Sequence, residues 1–519
     1  MKTPFDRQIT ISILIAAAVL VLAFAFQGAR GIWQPDEGYY VGTAVTMIKN
    51  GNFLIPKLGE ELFLEKPPVL YWGTIAAIKT FGQTELACRL FNAVCFTLTA
   101  ALTGLLSFSF FGKKLNAFIC AFIYATMAVP FTAANFVTPD TPLVLWTTAS
   151  ILCFSKSLDT NSQPRLTTVE RGQHRNFFKM LLYTSLGLGF LTKGPAVLIP
   201  CTGMFVYLLL TGQTKKFFFT LWTLPGILLF IITGLSWYFY VSAKVPGAAV
   251  YFFDNQIWGR LVSEKYRRNP GFAKAFIYLP AFLFGSLPWI IVWLNQIKHF
   301  KKTVLKKHWW KQLPLNQRKL FLICLFFVPL LALSLASSRL LFYALPLFPI
   351  LAVATSYLWT TGIPPLLQDV KIKIFIKPAA LTSLWVLFLL FSRFALARFY
   401  NSEKDTRALW KEISPYIPQG KYEIVTLDHR ADGLLFYGAQ EVENVTRKDD
   451  PYPTFSMPET FESELAEMLE DNHIYLFIID DKHELDAVLG VLLKHNVETR
   501  TIDLEHEKWL LIVNPEKIS

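Results

Sequence analysis

ITISILIAAAVLVLAFAFQ, residues 9–27, contains no charged side chain over about the length needed to cross roughly 30 Å of hydrocarbon. No clear small-residue cleavage site follows it, and further apolar blocks come after, so it reads as a retained membrane helix and not as a signal peptide. Comparable runs recur at 86–111, 115–132, 142–155, 180–192, 194–211, 217–242, 276–295, 320–337, 341–359 and 378–397. The chain is therefore expected to be a polytopic α-helical membrane protein of about eleven spans, with up to about thirteen as the upper count; the fourth and fifth runs are short, as extended, tilted or partly re-entrant segments would be. A composition of 53% hydrophobic residues across 519 exceeds what one soluble core needs and agrees with this reading.

The net charge of +12 lies between the apolar runs and not along one exposed face, which argues against a nucleic-acid partner. Lys113 and Lys114, the 156–179 loop, Lys215 and Lys216, the dense 298–319 loop, and Lys371, Lys373 and Lys377 all fall on one side of the expected topology. By the positive-inside rule that side is cytoplasmic, which puts the N-terminus inside and the C-terminal tail outside. All six cysteines lie in expected spans, where small apolar packing residues are the ordinary reading and no disulfide or CxxC metal framework is suggested.

Two outer segments interrupt the spans. Residues 28–85 are too polar to cross but rich in Tyr, Trp, Phe and Leu, as interfacial helices would be, and residues 243–275 form a second outer loop. These belong to an expected membrane domain, 1–397. From 398 to 519 the composition turns soluble, with β-rich YEIVTL (422–427) and IYLFIID (474–480), a helical HELDAVLGVLLKH (483–495) and KWLLIV (508–513). Alternating strands and helices predict a small α/β domain on the outer face.

The ionisable residues of the outer connections are Asp36 and Glu37 in PDEGYYV (35–41), Glu65 and Lys66 in FLEKPPVLYW (63–72), Asp140 in NFVTPDTPLVLW (135–146), Lys193 in GFLTKGPAVLIP (189–200) and Arg339 in SSRLLFYALPLFP (337–349). Each alone is explained by a helix cap or a lipid headgroup. Together, carboxylates and cations converging on one membrane face suit a substrate that is half lipid and half polar, with Lys66, Lys193 and Arg339 holding a lipid-linked phosphate.

Those five segments, in that order and spacing, resemble the bacterial branch of the protein-mannosyltransferase family, close to the aminoarabinose transferases that modify lipid A. The likeness covers about the first 400 residues. It implies a GT-C fold and transfer of a sugar, with inversion, from a polyprenyl-phosphate donor to a lipid A-like glycolipid or a protein or glycan hydroxyl, on the periplasmic side of the bacterial inner membrane. Position by position, it implies that Asp36 and Asp140 are the catalytic aspartates and that Lys66 approaches the donor phosphate. Glu65 then matches a metal-site glutamate of the aminoarabinose branch, and Arg339 and Tyr343 lie near the lipid phosphate. Glu37 and Tyr40 join the expected substrate contacts. Two departures stand out: Tyr39 replaces an arginine of the related branch, and the 243–275 loop contains none of the histidines that branch commonly supplies. A divalent metal thus retains Glu65 as a candidate ligand without the expected imidazoles. A transporter or flippase, or a non-catalytic assembly subunit, is the alternative. The absence of an inverted repeat and of mid-span charges favours the transferase over the transporter.

Overall fold

The computed structural model describes residues 4–158, 168–215, 222–259, 276–294, 316–336, 338–361, 378–447, 455–456, 460–470, 473–495 and 497–514. Lys216, the 298–315 part of the basic loop, Lys371, Lys373, Lys377 and the 260–275 part of the second outer loop lie outside the described residues, as does 159–167. Two compact units emerge: one of Met1–Phe26 and Leu90–Arg393, the other of Gln27–Arg89 and Phe394–Ser519.

In the first unit the apolar runs become helices. Six among the described residues are long and apolar enough to cross a membrane: Glu85–Phe111, Gly172–Leu210, Leu224–Lys244, Gln317–Leu335, Leu341–Trp359 and Ala380–Phe399. Gln8–Phe24 and Lys114–Thr126 are apolar but shorter. Their inner faces meet in an aromatic core in which Phe321 stacks on Phe154 at 5.9 Å and takes Tyr207 edge-on at 4.9 Å. Their outer faces leave Leu331, Leu381, Leu384, Leu387 and Phe391 exposed, an apolar belt that suits lipid and would be a liability in water. Polar side chains inside the helices are returned to the backbone. Thr99 and Thr103 donate to the carbonyls of Cys95 and Thr99, each at 2.7 Å. Arg393, 5% exposed, donates to the carbonyls of Leu22, Ala25 and Phe131 at 3.1, 2.9 and 2.9 Å. A buried cation needs such acceptors in place of water.

The second unit joins the 28–85 segment to the C-terminal residues. Helices Asp36–Asn50 and Val69–Phe81 flank a small hairpin of β1 (Lys57–Leu58) and β2 (Glu61–Leu62). Beside them stands a five-stranded mixed sheet in the order β4-β3-β5-β7-β6, made of β3 (Tyr422–Leu427), β4 (Val442–Val445), β5 (Ile474–Ile479), β6 (Glu498–Leu504) and β7 (Lys508–Asn514). The β4-β3-β5 portion is parallel, and β5-β7-β6 is antiparallel. β3 is buried along its whole length, so YEIVTL shows no strict apolar–polar alternation, and Glu423 and Thr426 are buried with its apolar residues. Helices Phe461–Glu470 and Lys482–Lys494 cover a core of Val425, Phe461, Phe477, Val488, Leu492 and Leu511. The six cysteines are free thiols, and five of them are buried.

Candidate active site

Proline at 35 ends the incoming loop and the helix Asp36–Asn50 starts at once, placing Asp36 and Glu37 in its first turn, where the positive end of the helix dipole favours carboxylates. Their environments differ completely. Asp36 is exposed, whereas Glu37 is fully buried. Glu37 receives Arg89 Nε on Oε1 and Arg89 Nη2 on Oε2, both at 3.0 Å, and a close hydrogen bond from Arg30. Its Oε2 also accepts from the Trp33 amide at 3.1 Å. Burial would raise the Glu37 carboxyl, but the two guanidinium groups outweigh it and hold it down at about 2. Burial and the neighbouring Arg89, opposed by Glu37, bring Arg30 down to about 10. Glu37, expected among the substrate contacts, is thus the anchor of a buried ion cluster.

The FLEKPP segment meets this helix. Phe63 stacks on Tyr39 at 5.6 Å, and Tyr40 lies 6.3 Å from Tyr71. Lys66 is buried, with Nζ donating to the Glu65 carbonyl at 3.0 Å and lying 3.8 Å from the Glu65 carboxylate. The Arg430 guanidinium also lies over the Tyr39 ring, 4.8 Å from its centre. This arginine belongs to the C-terminal region and is held by Asp432 at 3.1 and 3.2 Å. Tyr39, Pro35, His429, Arg430 and Lys508 contribute to the wall of a cavity of about 400 Å³.

The remaining expected residues lie in the first unit. Asp140 opens the helix Asp140–Leu158, and the turn before it is fixed by Asn92, whose amide donates to the carbonyls of Phe136 and, at 3.0 Å, Thr138. Lys193 ends the helix Thr168–Lys193. Gly194, with φ of +59°, redirects the chain there, and Val197 packs back against Gly189. The result brings Lys193 Nζ to 2.6 Å from Asp140 Oδ1 and to 4.8 Å from the centre of the Tyr343 ring. Both members of the ion pair are mostly buried. Arg339, partly buried, donates from Nε to the Ser334 carbonyl at 3.0 Å.

Glu65 joins no set of three candidate metal ligands among the described residues. The set found there, Glu423, Glu443 and Glu464, lies in the sheet region with ligand atoms within 4.8 Å of one another. The described residues at Glu65 therefore do not fit a metal centre, and no step is routed through one. Arg30, Arg89 and Asn92 are the organising residues that sequence reasoning passed over. The signal for two of them was present, since Arg89 and Asn92 are polar interruptions one turn apart in the apolar run 86–111.

The pattern of the dolichyl-phosphate-mannose-protein mannosyltransferase family matches residues 9–252. An undecaprenyl phosphate-alpha-4-amino-4-deoxy-L-arabinose arabinosyl transferase of Proteus mirabilis is 28% identical over 353 residues, 67% of this chain and 59% of that protein. The corresponding transferase of Pectobacterium atrosepticum is 24% identical over 368 residues, 70% of this chain and 62% of its own. The chain thus spans about three fifths of the length of these curated relatives. Among solved structures, ArnT from Cupriavidus metallidurans bound to undecaprenyl phosphate superposes with a TM-score of 0.74 at 17% identity, covering 96% of this chain and 97% of that one. The Archaeoglobus fulgidus oligosaccharyltransferase tethered with an acceptor peptide reaches 0.51 at 13% identity over 95% and 72%. The architecture is accordingly the GT-C fold of ArnT, mostly helical with a small sheet domain, and the sequence is similar to the bacterial aminoarabinose transferases, with the protein-mannosyltransferase pattern over residues 9–252.

Proposed function

We propose that the protein is an integral-membrane glycosyltransferase that moves a sugar, with inversion, from a polyprenyl-phosphate donor to a lipid A-like glycolipid or a protein or glycan hydroxyl. The observation that carries this reading is the contrast between Asp36 and Glu37. A rigid, fully buried ion cluster holds the first turn of a helix, and that turn presents one carboxylate to solvent. Preorganising a carboxylate in this way is what proton abstraction by a positioned base requires. The matched family pattern spans the same residues.

In this reading Asp36 takes the proton of the acceptor hydroxyl as its oxygen bonds to the anomeric carbon and the bond to the phosphate oxygen breaks. The lipid phosphate leaves as an anion, stabilised by Lys66 and Arg339, so no strong general acid is needed. Asp140, paired with Lys193 beside Tyr343, is the second catalytic aspartate of this reading. Tyr40 and Glu65 serve as substrate contacts, and Glu37 anchors the helix turn that carries Asp36. If the acceptor is a phosphate oxygen, it is already ionised, and Asp36 orients it without taking a proton. Mass spectrometry of envelope lipids and glycans tests the function: a sugar-bearing species should vanish from cells lacking the protein and return with the wild type but not with Asp36→Asn. Unchanged envelope composition in all three would sink it.

The cations separate by what each change should cost. Lys66→Ala and Arg339→Ala are expected to weaken donor use by roughly 1.5–3 kcal/mol, the range for hydrogen bonds to charged groups, with little change in thermal midpoint. Lys193→Ala should instead lower the thermal midpoint, because it strips a mostly buried Asp140 of its ion-pair partner. Binding of a polyprenyl-phosphate analogue and the melting midpoint, measured on the same detergent-purified variants, check this ordering.

The finer topology belongs to the same proposal: about eleven spans in a membrane domain of 1–397, an inner-membrane location, a cytoplasmic N-terminus and a periplasmic 398–519. A C-terminal reporter that works solely in the periplasm should be active. A cytoplasm-dependent reporter active at the same position would shift the span count by one.

A further inference from the structure

The eight residues leading to Asp36 are irregular, yet their backbone is tied at nearly every step. Part of the tying comes from Arg89, some sixty residues on, which donates to the carbonyls of Gln27, Arg30 and Gly31 at 2.8, 3.0 and 2.7 Å. The rest comes from residues some four hundred positions away. The amide of Ile32, a fully buried residue, donates to Tyr437 Oη at 3.0 Å, and its carbonyl accepts from the Thr406 amide and hydroxyl at 3.0 and 2.7 Å. The Gln34 amide donates to the Lys404 carbonyl at 2.9 Å. With its amide turned to satisfy both ends, the Gln34 side chain accepts from the Asp432 N–H at 3.1 Å and from that of Gly433. Arg407 donates to the Ala29 carbonyl at 3.1 Å and reaches Glu85 at 3.4 Å, and Tyr437 donates to the same Glu85 oxygen at 3.2 Å. The fit is close: a Cβ at Gly31 would run into the Asp405 carboxylate.

We propose that residues 402–437 clamp the loop that carries Asp36, with Tyr437 and Thr406 as positioning residues for the transfer reaction. The proposal rests on the reading of Asp36 as the base. Ile32 lies four residues before Asp36, and both of its backbone polar groups are consigned to the clamp, so the loop cannot shift without burying an unmatched N–H or C=O. A displacement of about 1 Å at a reacting carboxylate is enough to cost on the order of 10²-fold in rate. The C-terminal region therefore acts on the chemistry through the backbone, touching neither donor nor acceptor in this role.

The test uses full-length protein in detergent. Tyr437→Phe keeps the ring and removes the hydroxyl. Expected are a fall of about tenfold to a hundredfold in kcat, an unchanged KM for a polyprenyl-phosphate sugar, and at least about tenfold faster hydrogen exchange in the peptide covering 27–38. Thr406→Val should behave alike, and Thr406→Ser, which retains the hydroxyl, should stay close to wild type. Wild-type exchange protection in both Tyr437→Phe and Thr406→Val would overturn the clamp, and so would faster exchange with kcat unaltered. If one variant fails to fold, the other decides. Should wild-type protein transfer no sugar at all, the functional reading falls, and the exchange measurement alone decides whether the clamp exists.

Discussion

Asp36→Asn is expected to leave the fold intact and to lower sugar transfer by roughly 10²–10⁴, the usual worth of a positioned general base. That factor corresponds to about 2.7–5.4 kcal/mol of transition-state stabilisation. The stability at risk is far smaller. Asp36 is exposed, and its charge in the first turn of the helix is worth about 0.3–1 kcal/mol to that helix. The two magnitudes do not overlap, so a loss of turnover in this variant reads out chemistry and not folding. Comparing kcat and the thermal midpoint of purified protein checks it. Near wild-type turnover in well-folded protein would remove Asp36 from the mechanism. A loss much smaller than a hundredfold, without change in pH profile, would point to an acceptor that arrives already ionised.

Much of the membrane architecture was legible because lipid imposes a simple rule: long, predominantly apolar runs become helices, as 86–111 and 320–337 do in Glu85–Phe111 and Gln317–Leu335. Within the sheet region, YEIVTL and IYLFIID become strands covered on both faces, and their β-branched and aromatic residues are what made them readable. β6 is the counterexample. ETRTIDL pairs with β7 alone at the sheet edge, half exposed, and its polar alternation looks like loop. The turn after it places His506 and Glu507 at φ of +57° and +56° with neither glycine nor asparagine to announce it.

The site was legible by residue and not by partner. Asp140 and Lys193 both stood out, yet their pairing depends on the chain reversal after Lys193 and on Asn92 gripping the 136–138 turn, contacts that no local pattern encodes. The clearest instance is PDE. Two adjacent carboxylates look equivalent in the sequence, and what separates them is that one faces inward toward Arg30 and Arg89. The bond from Ile32 to Tyr437 spans 405 positions, so the role of the C-terminal region in holding the loop had no trace in either segment alone.

Breaking the cluster beneath Asp36 should destabilise the second unit strongly. Arg89→Met leaves Glu37 buried with one guanidinium in place of two, and Glu37→Gln leaves Arg30 and Arg89 facing each other without the charge between them. Removing one partner of a buried pair costs about 3–5 kcal/mol, since the remaining charge stays out of water uncompensated. Each single change should therefore lower the thermal midpoint of the purified protein sharply. The double change should cost less than the sum, as coupled neighbours do. The pH dependence has a fixed sign. Glu37 sits at about 2 in the folded protein against an ordinary 4.5, so its contribution is complete above about 4.5 and is lost as the pH falls toward 2. Wild-type protein should lose stability across that acid window, and Glu37→Gln, already without the carboxylate, should respond less steeply there. Equal acid sensitivity in the two proteins would mean that the cluster does not hold Glu37 ionised. In that case the rigid first turn proposed to present Asp36 would lose its electrostatic anchor.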